Sequence, residues 1–218
     1  MKLFSIQTKL SSWALILISV GCLSTHQAYA APSGLQGYVM HVQMTPAVCS
    51  IDSSKKKQRK CLEGYSLTIT GLLPETTQSN CVTTTSGKLS PLQNKVVARV
   101  MPDENARLRL WYDIGGCTGL SASQYFRDII NMADKLKIPA ELTGVDNKWV
   151  QLSSLRSQFY KLNPNLQKDS LRFTCQTTGK TTLLTGIQIC YKVNRQYKQC
   201  SNQVHSNCPN SFLIKGSY

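Results

Sequence analysis

The sequence predicts an α+β domain, an antiparallel β-sheet with helices packed on it, held by disulfides. Three observations carry this. β-rich, alternating segments lie at both ends of the chain, near 37–44 and 65–70 and again after 171. Between them, apolar residues recur at helical spacing. Eight cysteines remain once an N-terminal targeting segment is set aside, which suits a disulfide frame. Strands at both ends with helices in the middle favour segregated layers over a βαβ alternation.

The 218 residues are enough for one domain, and no internal repeat or linker divides them. Hydrophobic residues make up 41% and charged residues 17%, a globular balance. That excludes a disordered chain, a collagen-like chain, a solenoid and a multispanning membrane protein.

Residues 1–30 read as a secretory signal peptide. Lys2 and Lys9 supply the positive start, Trp13-Ala14-Leu15-Ile16-Leu17-Ile18 the apolar centre, and Ala28-Tyr29-Ala30 the small-residue cleavage site. The apolar run is too short to span a bilayer. Cys22 does not make a lipoprotein site, because Ser19 stands where an aliphatic residue is needed. The segment has a bacterial style, so the expected destination is the periplasm or beyond. The mature domain is then 31–218. Removing Lys2 and Lys9 lowers the Lys and Arg count from 25 to 23 against 11 Asp and Glu, leaving a formal charge of +12. Only His41 and His205 remain in it.

Along the mature chain, Gly37 to Met44 alternates as a first strand. Cys49 and Cys61 bracket a polar run that includes Lys55, Lys56, Lys57, Arg59 and Lys60, which reads as a solvated loop closed by a disulfide. Tyr65 to Thr70 is β-rich and is expected to run into a turn at Gly71, with Pro74 just beyond. Ser90-Pro91 opens a helix, Ser as cap and Pro at the first position, expected to continue through Val100 to Pro102. Arg107 to Tyr112 alternates and enters Gly115-Gly116-Cys117. Ser121 or Ser123 caps a helix whose apolar face is Tyr125, Phe126, Ile129, Ile130, Ala133 and Leu136. Leu152 to Leu162 is a third helix, ended by Asn163-Pro164. Strands follow at 171–175, 183–193 and 212–214. No C-x-x-C pair supports a zinc ribbon, and neither G-x-S-x-G nor a P-loop pattern occurs.

Several blocks, in order, resemble the T2 ribonuclease family, in the manner of its bacterial periplasmic members. Leu67-Thr68-Ile69-Thr70-Gly71-Leu72-Leu73-Pro74 is similar to the family's first active-site block, L-T-x-H-G-L-W-P. Arg109-Leu110-Trp111-Tyr112-Asp113-Ile114-Gly115-Gly116-Cys117 is similar to the second, H-E-W-x-K-H-G-x-C. Leu89-Ser90 and 98–102 resemble the intervening helix, and 171–176, 185–189 and 208–218 the C-terminal strands. The resemblance covers most of residues 36–218. It implies the disulfides Cys49–Cys61, Cys81–Cys117, Cys175–Cys208 and Cys190–Cys200.

The family's reaction cleaves RNA by attack of the ribose 2′-hydroxyl on its own phosphate, with no metal or cofactor. A base takes the 2′ proton and an acid protonates the leaving 5′ oxygen. Imidazoles suit both tasks because they titrate near working pH, each contributing on the order of 10²–10⁴ in rate. A lysine and a glutamate organise the charge that develops on phosphorus. At the matching positions this chain carries Thr70 and Ile114 for the two histidines and Asp113 for the lysine. Leu110 replaces the glutamate and Arg109 the earlier histidine of the second block. Leu73 replaces a tryptophan, and Trp111 is kept. A hydroxyl and an alkyl group cannot shuttle protons near pH 7, so no catalytic set is intact at these positions.

Three readings follow. The chain is a catalytically impaired member that binds RNA or another polyanion, with Arg109, Trp111 and the basic run Lys55, Lys56, Lys57, Arg59 and Lys60 as candidate contacts, and Tyr65 or Tyr112 as further stacking surfaces. Alternatively it is an endoribonuclease that still cleaves RNA through a 2′,3′-cyclic phosphate, using Arg109 and water. Alternatively it is a periplasmic protein-interaction module or inhibitor. His41 and His205 are expected to be ordinary strand and loop histidines.

Overall fold

A computed structural model describes residues 34–217. The signal-like segment at 1–30, with Cys22 and the Ala28-Tyr29-Ala30 site, lies outside the described residues.

Six strands form one sheet. β1 (Leu35–Met44) pairs antiparallel with β2 (Leu67–Thr76) at one edge and with β5 (Thr181–Tyr191) on its other side. β4 (Leu171–Thr178) pairs antiparallel with β5. β6 (Ser211–Ile214) touches β5 in parallel at Leu183 and Leu213, and pairs antiparallel with the edge strand β3 (Lys148–Gln151). The α+β class expected from the sequence is thus the observed one, with that one parallel contact added.

Strand alternation decides which face is covered. Tyr38, Met40, Val42 and Met44 of β1 are all buried in the main core. Against them pack α3 (Pro91–Val97), α4 (Glu104–Ile114), α5 (Ala122–Lys135) and α6 (Leu152–Leu162). Helix α5 buries Tyr125, Phe126, Ile129 and Met132, with Leu136 just past its end. Each such side chain contributes roughly 1.5–3 kcal/mol when fully removed from water. Ser121 caps α5 in a reciprocal pair with Gln124, and Ser90 caps α3 through the Gln93 amide. On the opposite sheet face, Val39 joins Cys190 and Cys200 in a small second cluster, leaving His41 and Gln43 uncovered by it.

The structure departs from the sequence reading in five places. The second strand does not turn at Gly71 but runs through it to Thr76. Gly71 is there because a Cβ would meet the Leu110 methyls at 3.1 and 3.2 Å, and Pro74 is tolerated because β2 is an edge strand. The alternating stretch Arg107 to Tyr112 is helical, inside α4, capped by Asp103 through the Ala106 amide. The helix opened by Ser90-Pro91 ends at Val97 instead of continuing through Val100. Finally, the structure adds the short strand β3, and two short helices, α1 (Thr45–Ile51) and α2 (Arg59–Leu62), flank the polar run.

The disulfides are Cys49–Cys61, Cys81–Cys117, Cys175–Cys208 and Cys190–Cys200, the pairs that the resemblance implies. Cys49–Cys61 ties α1 to α2 and so braces the basic run. Cys81–Cys117 holds the irregular stretch 81–83 against the end of α4. Gly116 permits that approach: its amide donates to the Cys81 carbonyl at 2.8 Å, and a Cβ would lie 2.8 Å from the Val82 carbonyl. Among the described residues no helix is long and apolar enough to cross a membrane.

Candidate functional site

The uncovered part of the sheet face is a groove of about 580 Å³. Its floor is β1, β4 and β5, and its wall is α1 with the turn that follows. His41 and Gln43 come from β1, Thr174 and Gln176 from β4, and Thr185 and Gln188 from β5. His41 pairs in register with Gln188, and Gln43 with Gly186, so these groups form polar rows across the sheet.

Thr70 lies at the edge of this groove, on a bulge. His41 pairs with Gly71 and Val42 with Ile69, so Thr70 is the extra residue of β2. Bulges bend a strand and re-aim the inserted side chain. Here the Thr70 side chain is exposed, and its Oγ1 donates to the His41 carbonyl at 3.4 Å. The neighbouring His41 imidazole is pushed below its ordinary value by burial, which favours the neutral ring. The Gln188 Oε1 is buried without a hydrogen-bond partner, an acceptor left open at the groove floor.

Charge at the groove comes from one end. Lys55 and Asp52 line it and pair at 3.2 Å. Hydrogen bonds from Ser54 and Lys55 hold the Asp52 carboxyl below its ordinary value. Lys60 donates to Gln43 Oε1 at 2.6 Å, and burial, with the Lys55 charge nearby, pushes its ammonium down. Arg59 pairs with Glu63 at 2.6 Å. Lys56 and Lys57 are exposed. The basic run is therefore a tethered rim in which Lys55 reaches the groove.

The second block behaves differently. It lies on α4, which crosses behind β2. Leu110 seats its methyls on Gly71, directly after Thr70 in sequence. Ile114 packs against the core. Arg109 and Asp113 are exposed on the outer side of the helix and do not line the groove. Trp111, a candidate stacking surface, is 1% exposed. Its ring packs at 5.7 Å from Tyr125 and its Nε1 donates to the Thr85 carbonyl at 3.0 Å. It is a core residue and offers no face to a base. Tyr65 is half-buried, its hydroxyl bound to the Ala98 carbonyl, while Tyr112 is 42% exposed. His205 is exposed in a loop and does not line the groove.

Of the residues singled out from the sequence, the structure thus brings Thr70 and Lys55 to one groove, with Lys60 tied to its Gln43. It does not bring Arg109, Asp113 or Trp111 there. Gln43, Thr174, Gln176, Thr185 and Gln188 were missed, and His41 was undervalued. The signal that could have found them is polar residues at period two in strands whose other face is apolar, as in His41 and Gln43 or Thr174 and Gln176. No group of three or more metal-ligating side chains occurs among the described residues.

A sheet with one face under helices, four disulfides and a groove beside a bulged edge strand define a disulfide-braced α+β domain. Solved structures make that class specific. A ribonuclease MC1 variant in complex with 5′-UMP, from the bitter gourd protein, matches at 16% identity and TM-score 0.65, covering 82% of this chain and 98% of that one. A self-incompatibility-associated ribonuclease of Nicotiana alata matches at 14% and 0.65, covering 83% and 99%. The Japanese pear S3-RNase matches at 17% and 0.59, covering 84% and 100%. The chain therefore has the T2 ribonuclease fold. No family model matches the chain, and no curated protein matches it in sequence.

Proposed function

We propose that this chain uses the T2 ribonuclease fold to bind single-stranded RNA, or a polyanion of similar charge, without efficient cleavage. The observation that carries this is the pairing of an open polar groove with a position on its rim, Thr70, that has no proton to exchange near neutral pH. The groove is large enough for a nucleotide, Lys55, ion-paired with Asp52, stands at its end beside the exposed Lys56 and Lys57, and Gln43, Gln188 and Thr174 supply hydrogen bonds. The formal charge of +14 for the whole chain suits an anionic partner, because cation–phosphate contacts release counterions. At the second family block, Leu110 and Ile114 contribute packing in place of a carboxylate and an imidazole. We also propose that residues 1–30 direct export and are removed, and that domain 31–218 works in the periplasm or outside the cell, where four disulfides persist.

Two measurements on purified protein test this. The first is cleavage of a single-stranded RNA substrate, read as 2′,3′-cyclic phosphate product. The expected result is turnover several orders of magnitude below an ordinary enzyme of about 10 s⁻¹. Turnover near that value overturns the reading. The second is RNA affinity across a salt series: a steep fall with salt is expected, and no binding at low salt favours a protein partner. Residual cleavage is the one competing reading with an observation behind it, since His41 lies beside Thr70. A trace rate abolished by His41→Gln would establish it.

A further inference from the structure

A second groove, of about 420 Å³, lies on the other side of the basic run, between α3, α4 and Tyr65. Arg59, Lys95, Arg99 and Arg107 line it, against the single carboxylate of Glu104. Lys95 and Arg99 are exposed, and neither pairs with a carboxylate among the described residues.

Arg107 is the unusual member. It is only 4% exposed, yet no carboxylate of the described residues pairs with it. Its guanidinium donates to the Met101 carbonyl and to Asn94 Oδ1, which satisfies two of its five donors. A buried charge held by neutral acceptors alone is costly. The carboxylates of Asp103 and Glu104 help only at a distance, and Arg59 opposes, so burial dominates and lowers the guanidinium's proton affinity. Glu63 pairs with Arg59 and Glu104 lines the groove, so Lys95, Arg99 and Arg107 leave a local excess of positive charge that an anion with several acceptor oxygens would relieve. Arginine forks match phosphoryl oxygens in geometry as well as charge.

We propose that this groove is a phosphoryl-binding site, with Arg99 and Lys95 contacting the anion directly and Arg107 supplying the field at its base. The source of the phosphoryl group is taken to be the backbone of an RNA strand, and that part rests on the function proposed above. The stretch 52–59 contributes Asp52, Ser53 and Lys55 to the first groove and Arg59 to this one, so a strand leaving the first groove meets the second across a basic rim.

The test compares wild type with Lys95→Glu/Arg99→Glu and with a control of equal charge change, Lys180→Glu/Lys192→Glu, whose side chains are exposed elsewhere. In the first arm, inorganic phosphate replaces chloride at matched ionic strength. The Tm is expected to rise for wild type and control and to stay flat for Lys95→Glu/Arg99→Glu. An equal rise in all three, or no rise in wild type, overturns the site. In the second arm, oligouridylate affinity is measured against salt. The slope of log K against log salt is expected to become shallower by about 0.7 for each phosphate contact removed, in the Lys95→Glu/Arg99→Glu protein alone. An unchanged slope with the phosphate response lost overturns the RNA source and leaves a small phosphoryl compound as the ligand. If wild type binds no oligouridylate while phosphate still raises Tm, the function proposed for the first groove falls and this site stands.

Discussion

The two sequence blocks that resemble an active site have opposite fates in the folded chain. The β2 block carries a bulge that pushes Thr70 out to a polar groove shared with His41 and Gln188. The α4 block is divided between core and solvent: Leu110 and Ile114 pack inward, and Arg109 and Asp113 face solvent. A strand on an open sheet face keeps every second residue at the surface, so polar groups persist there whatever the chemistry. A helix lying on a strand can exchange a polar inward residue for leucine and gain packing. The two blocks therefore stand in different environments, an open polar groove at Thr70 and added core packing at Leu110 and Ile114.

The largest expected effect tests the inward half. Trp111→Ala removes a buried ring and its bond to the Thr85 carbonyl, and should lower stability by about 3–5 kcal/mol in urea unfolding. A loss below about 1 kcal/mol would mean that Trp111 is not the core residue described. Next comes an attempt to reverse the divergence. Thr70→His, Asp113→Lys and Ile114→His together should raise RNA cleavage by no more than the order of 10² that one positioned imidazole supplies, because Asp113 faces solvent and Ile114 packs on the core, away from the groove. A gain well beyond that would place the α4 half at the groove.

A smaller effect probes the seam between the halves. Gly71→Ala should destabilise by about 1–3 kcal/mol, because the new Cβ meets the Leu110 methyls. Leu110→Ala should relieve that clash, so the double variant should lose less than the two single losses combined, with a coupling of about 0.5–3 kcal/mol. Additive losses would separate the two residues. The smallest effect concerns the groove. Burial holds His41 below its ordinary value of 6.5, so the native state resists protonating it. The unfolded chain then binds more protons as pH falls below that value, and stability drops until the folded imidazole is itself charged. His41→Gln should flatten this part of the stability–pH profile relative to wild type. Superimposable profiles would count against a buried, neutral His41.

Much of the fold was legible in the sequence. Helix α5 was readable because six apolar residues at helical spacing follow a Ser cap, and α6 because Asn163-Pro164 ends it. α4 was hidden: Arg107 to Tyr112 alternates like a strand, and only its cap at Asp103 and the burial of both Arg107 and Trp111 reveal a helix. β3 is four residues long, too short for a periodic signal. At the site, the replaced residues were legible by position, but the groove was not. Its lining comes from β1, α1, β2, β4 and β5, and the registers that align His41 with Gln188 and Gln43 with Gly186 are long-range facts.

By itself, the sequence determined the α+β class, the two capped helices, the excess of positive charge and the side chains standing at Thr70, Asp113 and Ile114. Those depend on local periodicity, caps and composition. Tertiary structure alone decided that Trp111 is core, that Leu110 seats on Gly71, that Thr70 sits on a bulge and that His41 faces a groove. These depend on which strand pairs with which and on which face a helix covers, and such choices are made by burial summed over the whole chain.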